Sequence, residues 1–386
     1  MQASPPARYG PQVAASRTTA EVVARRGGNH VDVSDVCTAG RGNACRAARA
    51  GSAARADCSE ENWKDCAGKP WMTGKADTPI GEAWWPSKLW GPDDEAGSTN
   101  WFTKPEVVKR GLAEVSEGKV YSLGHPYTVD MPLFGSRVFT LRIPGAPTDG
   151  PFGANKMVYN DEFVAAQIGQ IGTQFDGLGH IGVQTGENGD KAGMRFYNGR
   201  TLAEIGKETG LKKNGIEKLH PMVGRGILID VAAYRGVDAM DVGQEITMTD
   251  VRGALQRQGM ADFQFSPGDV VLFRTGWTKY WIKDNKKYNS GEPGIGMEVS
   301  RWLSDVVQAG GVGADTWATE VIPNPDPACA FCAVHTHLLV RHGIVNHENL
   351  DLDALARDRV YRFMYVFTPV PFAGATGSPG APIAIK

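Results

Sequence analysis

The chain has 386 residues, 41% of them hydrophobic, enough apolar material for one large domain or two smaller ones. Its 41 Lys and Arg against 43 Asp and Glu leave a net charge of -2, so the basic excess that nucleic-acid or membrane-surface binding requires is missing. No apolar run approaches the ~20 residues of a membrane span.

Residues 1 to about 75 are rich in Ala, Arg, Gly and Ser and show little apolar periodicity. Such a segment cannot bury enough surface to offset its chain entropy, so a disordered arm is expected over 1–75 and a single folded domain over 76–386. The arm has no apolar h-region of a secretory signal. Glu21 is the one acid in its first thirty residues, a faint likeness to a transit peptide that a mispredicted start would share; a cytoplasmic location is expected. Trp84, Trp85, Trp90 and Trp101 follow, in numbers that suit a core, an oligomer interface or a pocket wall. Thr103-Lys104-Pro105-Glu106 reads as a capping box, with Val107, Val108, Leu112 and Val115 on one helical face and Gly118 as the stop. Gly226 to Ala232 reads as a buried strand, Thr249 to Gln258 as a short helix ended by Gly259, and Asp269 to Arg274 as a strand. Val299, Trp302, Leu303, Val306 and Val307 form a helical stripe, Gly310 to Asp315 a short strand, and Tyr361 to Phe367 a late one. The sum is a mixed α/β domain without an internal repeat or a P-loop.

Four of the six cysteines, Cys37, Cys45, Cys58 and Cys66, lie in the arm, and the even count does not establish disulfides. Cys329 and Cys332 have redox or zinc spacing, but one pair offers only two of the four ligands of a structural zinc, so ordinary buried thiols are expected.

The chemistry concentrates in two places. Gln170-Ile171-Gly172-Thr173-Gln174-Phe175-Asp176-Gly177-Leu178-Gly179-His180 packs two amides, a carboxylate and an imidazole among glycines. If Gln174 and Asp176 sit on a strand they point to the same face, and Gly177 and Gly179 then allow a turn that swings His180 back over it. Downstream lie His335, His337, His342, His347 and Glu348, four of the chain's eight histidines among them. Two separated clusters of oxygen and imidazole donors suggest a divalent metal site closed by the fold. The plainer alternative is a glycine-rich turn whose polar groups only satisfy the backbone.

With these residues in view, the chain resembles the cyclase family of metal-dependent hydrolases, which includes bacterial arylformamidases (kynurenine formamidases) and isatin hydrolase. The hallmark there is His-x-Gly-Thr-His-x-Asp-x-Pro-x-His. This chain keeps Gly172, Thr173, Asp176 and His180, and departs at Gln170, Gln174 and Leu178. The likeness extends over Trp84 to Trp101, Gly224 to Gly236, Gly268 to Trp281, Pro293 to Val321 and His337 to Pro382. It implies a single domain of swivelling β/β/α type with a mixed sheet. It also implies a metal set drawn from Gln170, Gln174, Asp176, His180, His337 and Glu348. By spacing, His335 shares a face with His337 if the segment is extended and is expected in support, and His342 and His347, which flank a turn, are expected in support or exposed. Amide oxygens in place of imidazoles favour manganese and leave zinc as the alternative.

The expected activity is hydrolysis of a carbon–nitrogen amide bond, in a cyclic amide or aryl formamide, by metal-activated water. His180 is the expected base or proton shuttle, and Glu348 and His337 a further acid/base or ligand pair. Trp84, Trp90, Trp277, Asp315 and Trp317 are the expected pocket residues, around a small-molecule substrate in a homo-oligomer (dimer or tetramer). Alternatives from other classes are lactone hydrolysis, a lyase reaction on the same site, and a binding protein without turnover. No Gly-x-Ser-x-Gly elbow is present. Because the arm carries no copy of this chemistry, deletion of residues 1 to about 70 should leave turnover intact. A protein starting near Asp77 compared with one starting near Thr103 separates the arm from the tryptophans. Loss of activity in the longer protein, folded and metal-loaded, would give the arm a catalytic role.

Overall fold

In the computed structural model, residues 84–187, 189–206, 208–325 and 333–386 are described; the expected arm and all six cysteines lie outside them. Nine strands build the main sheet: β1 (Val120–Ser122), β2 (Gln174–Asp176), β3 (Met222–Asp230), β4 (Val270–Arg274), β5 (Gly311–Ala314), β6 (Asn346–Glu348), β7 (Arg362–Phe367), β8 (Gly377–Pro379) and β9 (Ile383–Ile385). Their order across the sheet is β1-β9-β7-β3-β4-β5-β6-β2-β8. The centre, β3-β4-β5-β6, is parallel. Both flanks are antiparallel. All described residues belong to one unit, Arg55–Lys386. This is the mixed α/β architecture expected from the strand and helix signals.

Period-two alternation explains why the central strands read as continuous apolar runs. Ile227, Ile229, Val271 and Phe273 face one core, and Leu228, Val270 and Leu272 face the other. On the first side pack α3 (Met248–Arg257) and α4 (Met297–Trp302), through Val251, Leu255, Val299 and Trp302. On the second side Phe102 and Val107 join Phe363 and Tyr365. No helix among the described residues is long and apolar enough to cross a membrane.

Local signals were read to within a few residues, with informative misses. The first helix, α1, is Pro105–Leu112, but its N-cap is Lys104 and the Thr103 hydroxyl turns back to the Asn100 carbonyl, so the expected capping box does not form. Val107 is buried, whereas Leu112 and Val115 are exposed, because the helix rests on the sheet through Val107 and Gly111 only. The strand expected to Ala232 stops at Asp230, whose carboxylate caps α2 (Val231–Arg235). The capping box of α3 uses Thr247 and Asp250. The Val299–Val307 stripe begins as α4 and widens into a π turn over Leu303–Val307.

One buried ion pair ties β3 to β4. Asp269 is fully buried and takes a forked contact from Arg225, Nε at 3.0 Å and Nη2 at 2.6 Å, while Arg110 of α1 adds a third donor at 3.2 Å. Burial pushes the Asp269 carboxyl above its usual range, and the two arginines oppose that. Removing the acid leaves Arg225 buried without its partner, which costs far more than an exposed pair. Asp269→Ala should therefore lower unfolding stability by about 3–5 kcal/mol in a denaturant titration; a loss below about 1 kcal/mol, the range of exposed pairs, would show that the pair does not anchor the sheet.

Candidate metal centre

Strands β2 and β6 run antiparallel, with Asp176 opposite Asn346, Phe175 opposite His347 and Gln174 opposite Glu348. Opposed residues share a face and neighbours alternate. Gln174, Asp176, Asn346 and Glu348 therefore share one face. Phe175 and His347 share the other, their rings 5.3 Å apart. The turn after β2 brings His180 back to 3.9 Å from Asp176, closed by the His180 N–H donating to Gly177 O. Here the glycines act by close approach, not by unusual backbone. A Cβ on Gly177 would lie 2.8 Å from Thr376 O, and one on Gly179 2.2 Å from Leu211 Cδ1.

Helix α5 (Ala333–His335), continued by a wider π turn over Thr336–His342, delivers His335 to the polar face. Its Nε2 lies 3.0 Å from Glu348 Oε1 and 3.6 Å from Asp176 Oδ2. Its Nδ1 bonds Glu320, whose carboxylate also accepts the Val334 and His335 backbone N–H groups at 3.2 Å. One donor atom from each of Asp176, His335 and Glu348 lies within 4.8 Å of the others, and all three residues are buried. Amides orient the acids. Gln174 Nε2 donates to Glu348 Oε2 at 2.6 Å, Asn346 Nδ2 to Glu348 Oε1 at 2.8 Å, and Gln170 Nε2 to Asp176 Oδ1 at 3.4 Å.

The electrostatics are those of crowded buried acids. Burial works against the Asp176 charge, but His180 and His335 outweigh it and hold the carboxyl below its usual range. Glu348 is pushed up to about 8 by burial and by Asp176. His335 resists burial through Asp176, Glu320 and Glu348 and is raised well above an ordinary histidine. Burial lowers His180.

A divalent cation fits this donor set. Asp176 Oδ2 and Gln170 Oε1 are buried without a hydrogen-bond partner, a condition that a bound ion relieves. Glu320 on Nδ1 of His335 leaves Nε2 directed at the two carboxylates, the arrangement by which a carboxylate fixes a ligating imidazole.

Several expected site residues make other contacts than expected. His337 is turned away from the cluster: its Nε2 meets Ser304 Oγ at 2.9 Å, its ring packs 4.5 Å from His342, and burial holds it well below the usual histidine range. His347 faces the second core and bonds Tyr365 Oη at 2.7 Å. Gln174 directs its N–H group at Glu348 and so orients that acid. Asp315 accepts from Thr275 N, Thr275 Oγ1 and Gly276 N, fixing the turn after β4; burial raises it to about 6. Trp277 is wholly buried and donates to Tyr288 O. Trp84 pairs with Trp85 and Arg341, and Trp90 with Trp101. Trp317 alone of the five expected pocket residues lines the shallow cleft beside the cluster, together with Phe134, Arg137, Gln170, Gln174, Asn289 and Asn349. Its ring stacks on Phe134 at 4.3 Å, and Glu292 holds its turn by accepting from the Trp317 and Ala318 N–H groups. Sequence reading overlooked Glu320, Asn346, Glu292 and Arg137. Only Asn346, two residues before Glu348, carried a signal, that of period two.

Residues 121–321 match the Cyclase family. A solved structure described as a novel cyclase is 31% identical, with a TM-score of 0.66 over 77% of this chain and 96% of that one. Isatin hydrolase A from Ralstonia solanacearum is 20% identical, with a TM-score of 0.48 over 69% of this chain and 91% of that one. No curated protein matches the chain.

The geometry separates two neighbouring histidines. His335→Gln should lower affinity for a divalent cation by more than about 100-fold, beyond the range for residues that only orient a ligand. His337→Gln should keep the cation and instead cost about 1–3 kcal/mol of stability through the lost Ser304 contact. Metal content and denaturant unfolding of both variants check the assignment; the reverse pattern would restore His337 as the ligand.

Proposed function

Because the chain belongs to the Cyclase family, we propose that it is a metal-dependent hydrolase that cleaves a carbon–nitrogen amide bond in a cyclic amide or an aryl formamide. The observation that carries this reading is the convergence of two buried carboxylates and one oriented imidazole beside a partly aromatic cleft, with a carboxylate oxygen among them that lacks a hydrogen bond. Asp176, His335 and Glu348 would hold the ion, and Gln170 has an amide oxygen to add. Such an ion supplies, when bound, an acidified water and polarisation of the substrate carbonyl.

The chain's own residues supply the remaining chemistry. With an ion in place of the Nε2 proton, Glu320 on Nδ1 would hold His335 in the tautomer whose Nε2 lone pair ligates. Gln174 and Asn346 fix the rotamer of Glu348. His180, partly exposed beside Asp176, takes the proton from the attacking water and returns it to the leaving nitrogen, so that water adds across the carbon–nitrogen bond. Trp317 and Phe134 wall the cleft with flat apolar surface suited to an aromatic substrate. Oxygen-rich donors favour manganese, with zinc the alternative.

Two results are expected. Asp176→Asn should abolish both metal content and hydrolysis while the circular dichroism spectrum stays native; full metal content in that variant would remove Asp176 from the ligand set. After chelation, manganese should restore hydrolysis of a panel of cyclic amides, aryl formamides and lactones better than zinc does. Restoration by zinc alone would argue for nitrogen ligands beyond His335. A purified protein without bound metal, inert on the whole panel after reconstitution, would overturn the hydrolase reading.

A further inference from the structure

Arg137 stands out among the arginines. Arg225, Arg235 and Arg274 each hold a carboxylate. Among the described residues Arg137 forms no ion pair, and its guanidinium lies over the Phe134 ring at 5.6 Å from the centroid. Phe134 in turn stacks on Trp317, so the guanidinium is carried on an aromatic support whose turn Glu292 fixes. The residues lining the cleft are otherwise apolar or neutral: Gln170, Gln174, Asn289 and Asn349 are amides, and Arg137 is the one charged residue in the lining. Its charge is also felt deeper in the site, at His180 and Glu348.

A guanidinium at a cleft wall, packed on an aromatic ring and without an acid of its own, keeps its forked donors for an incoming group. The buried acids converge on His335, and none of them makes an ion pair with Arg137 among the described residues. The geometry points to Arg137 as the residue that binds a carboxylate carried by the substrate, at a position remote from the bond cleaved. This rests on the hydrolase reading for the reaction, but the anion site itself is testable without turnover. A substrate that fits this arrangement is planar and carries a carboxylate: an aromatic ring set against Trp317 and Phe134, the carboxylate on Arg137, and the amide over Asp176, His335 and Glu348.

The test is equilibrium binding of phenylacetate and of its neutral counterpart phenylacetamide to the metal-loaded protein, followed by tryptophan fluorescence. Wild type, Arg137→Gln and Arg137→Lys are compared at equal metal content. A charge-assisted hydrogen bond corresponds to about 10–100-fold in affinity. Wild type should therefore prefer phenylacetate by at least about tenfold, Arg137→Gln should lose that preference, and Arg137→Lys should retain part of it. Raising the salt concentration should shrink the preference in wild type and in Arg137→Lys, and change nothing in Arg137→Gln. Equal affinity of wild type for the two probes, or an undiminished preference in Arg137→Gln, would overturn the assignment. Because metal content is matched, a preference due to the cation would persist in the Gln variant and count against Arg137. Failure of hydrolysis on the amide panel would instead bear on the reaction and leave this readout standing.

Discussion

The antiparallel seam between β2 and β6 is the constraint on which the polar end of the sheet depends. It joins segments 174 positions apart and opposes Gln174 to Glu348 and Asp176 to Asn346. A slip of one residue would put Phe175 and His347 into the cluster and the acids into the core. Flanking contacts pin the register. The Thr173 hydroxyl donates to Asn349 O, Asn349 Nδ2 donates to Gly172 O, and Tyr288 Oη donates to Asn349 Oδ1. Gly172 makes the left-handed turn into β2, and Asn349 takes a similar backbone conformation just after β6. These bonds are buried, so breaking any of them leaves a polar group without water.

The seam also sets an electrostatic problem. Asp176, Glu292, Glu320 and Glu348 are all buried. Glu292 is bound to two backbone N–H groups, yet burial and the nearby Glu348 raise it well above its usual range. Glu320 is taken up by the start of α5 and by His335. That leaves Asp176 and Glu348 facing one imidazole, with one oxygen of Asp176 lacking a hydrogen bond. Buried acids this close are relieved either by taking up protons, the direction in which Glu348 and Glu292 are pushed, or by a cation among them. The same arrangement that is costly in isolation becomes a site once a cation is present.

Above the cluster the chemistry changes character. The cleft is lined by neutral amides, a Phe134–Trp317 stack and Arg137, apart from the buried acids. Glu292 links the two levels, because it fixes the Trp317 turn while lying close enough for Glu348 to raise it. Shape at the wall and charge at the floor are therefore set by one set of buried contacts.

Much of this was legible in the chain itself. The central strands follow from apolar runs bounded by turn residues, and Asp176 with His180 from the density of donors among glycines. The common face of Gln174 and Asp176 follows from period two, which is a property of the backbone alone. The choice between His335 and His337 was not legible. An extended segment puts them on one face, but residues 333–342 are helical, where two positions are about 200° apart, so one meets Asp176 and Glu348 and the other meets Ser304. Glu320, Glu292 and Arg137 left no trace, because nothing in their local sequence distinguishes them from surface charges; their roles come from partners in other elements. Local periodicity is written in neighbouring residues and can be read from them. Which donors converge depends on how distant elements pack, and only the tertiary structure decides that.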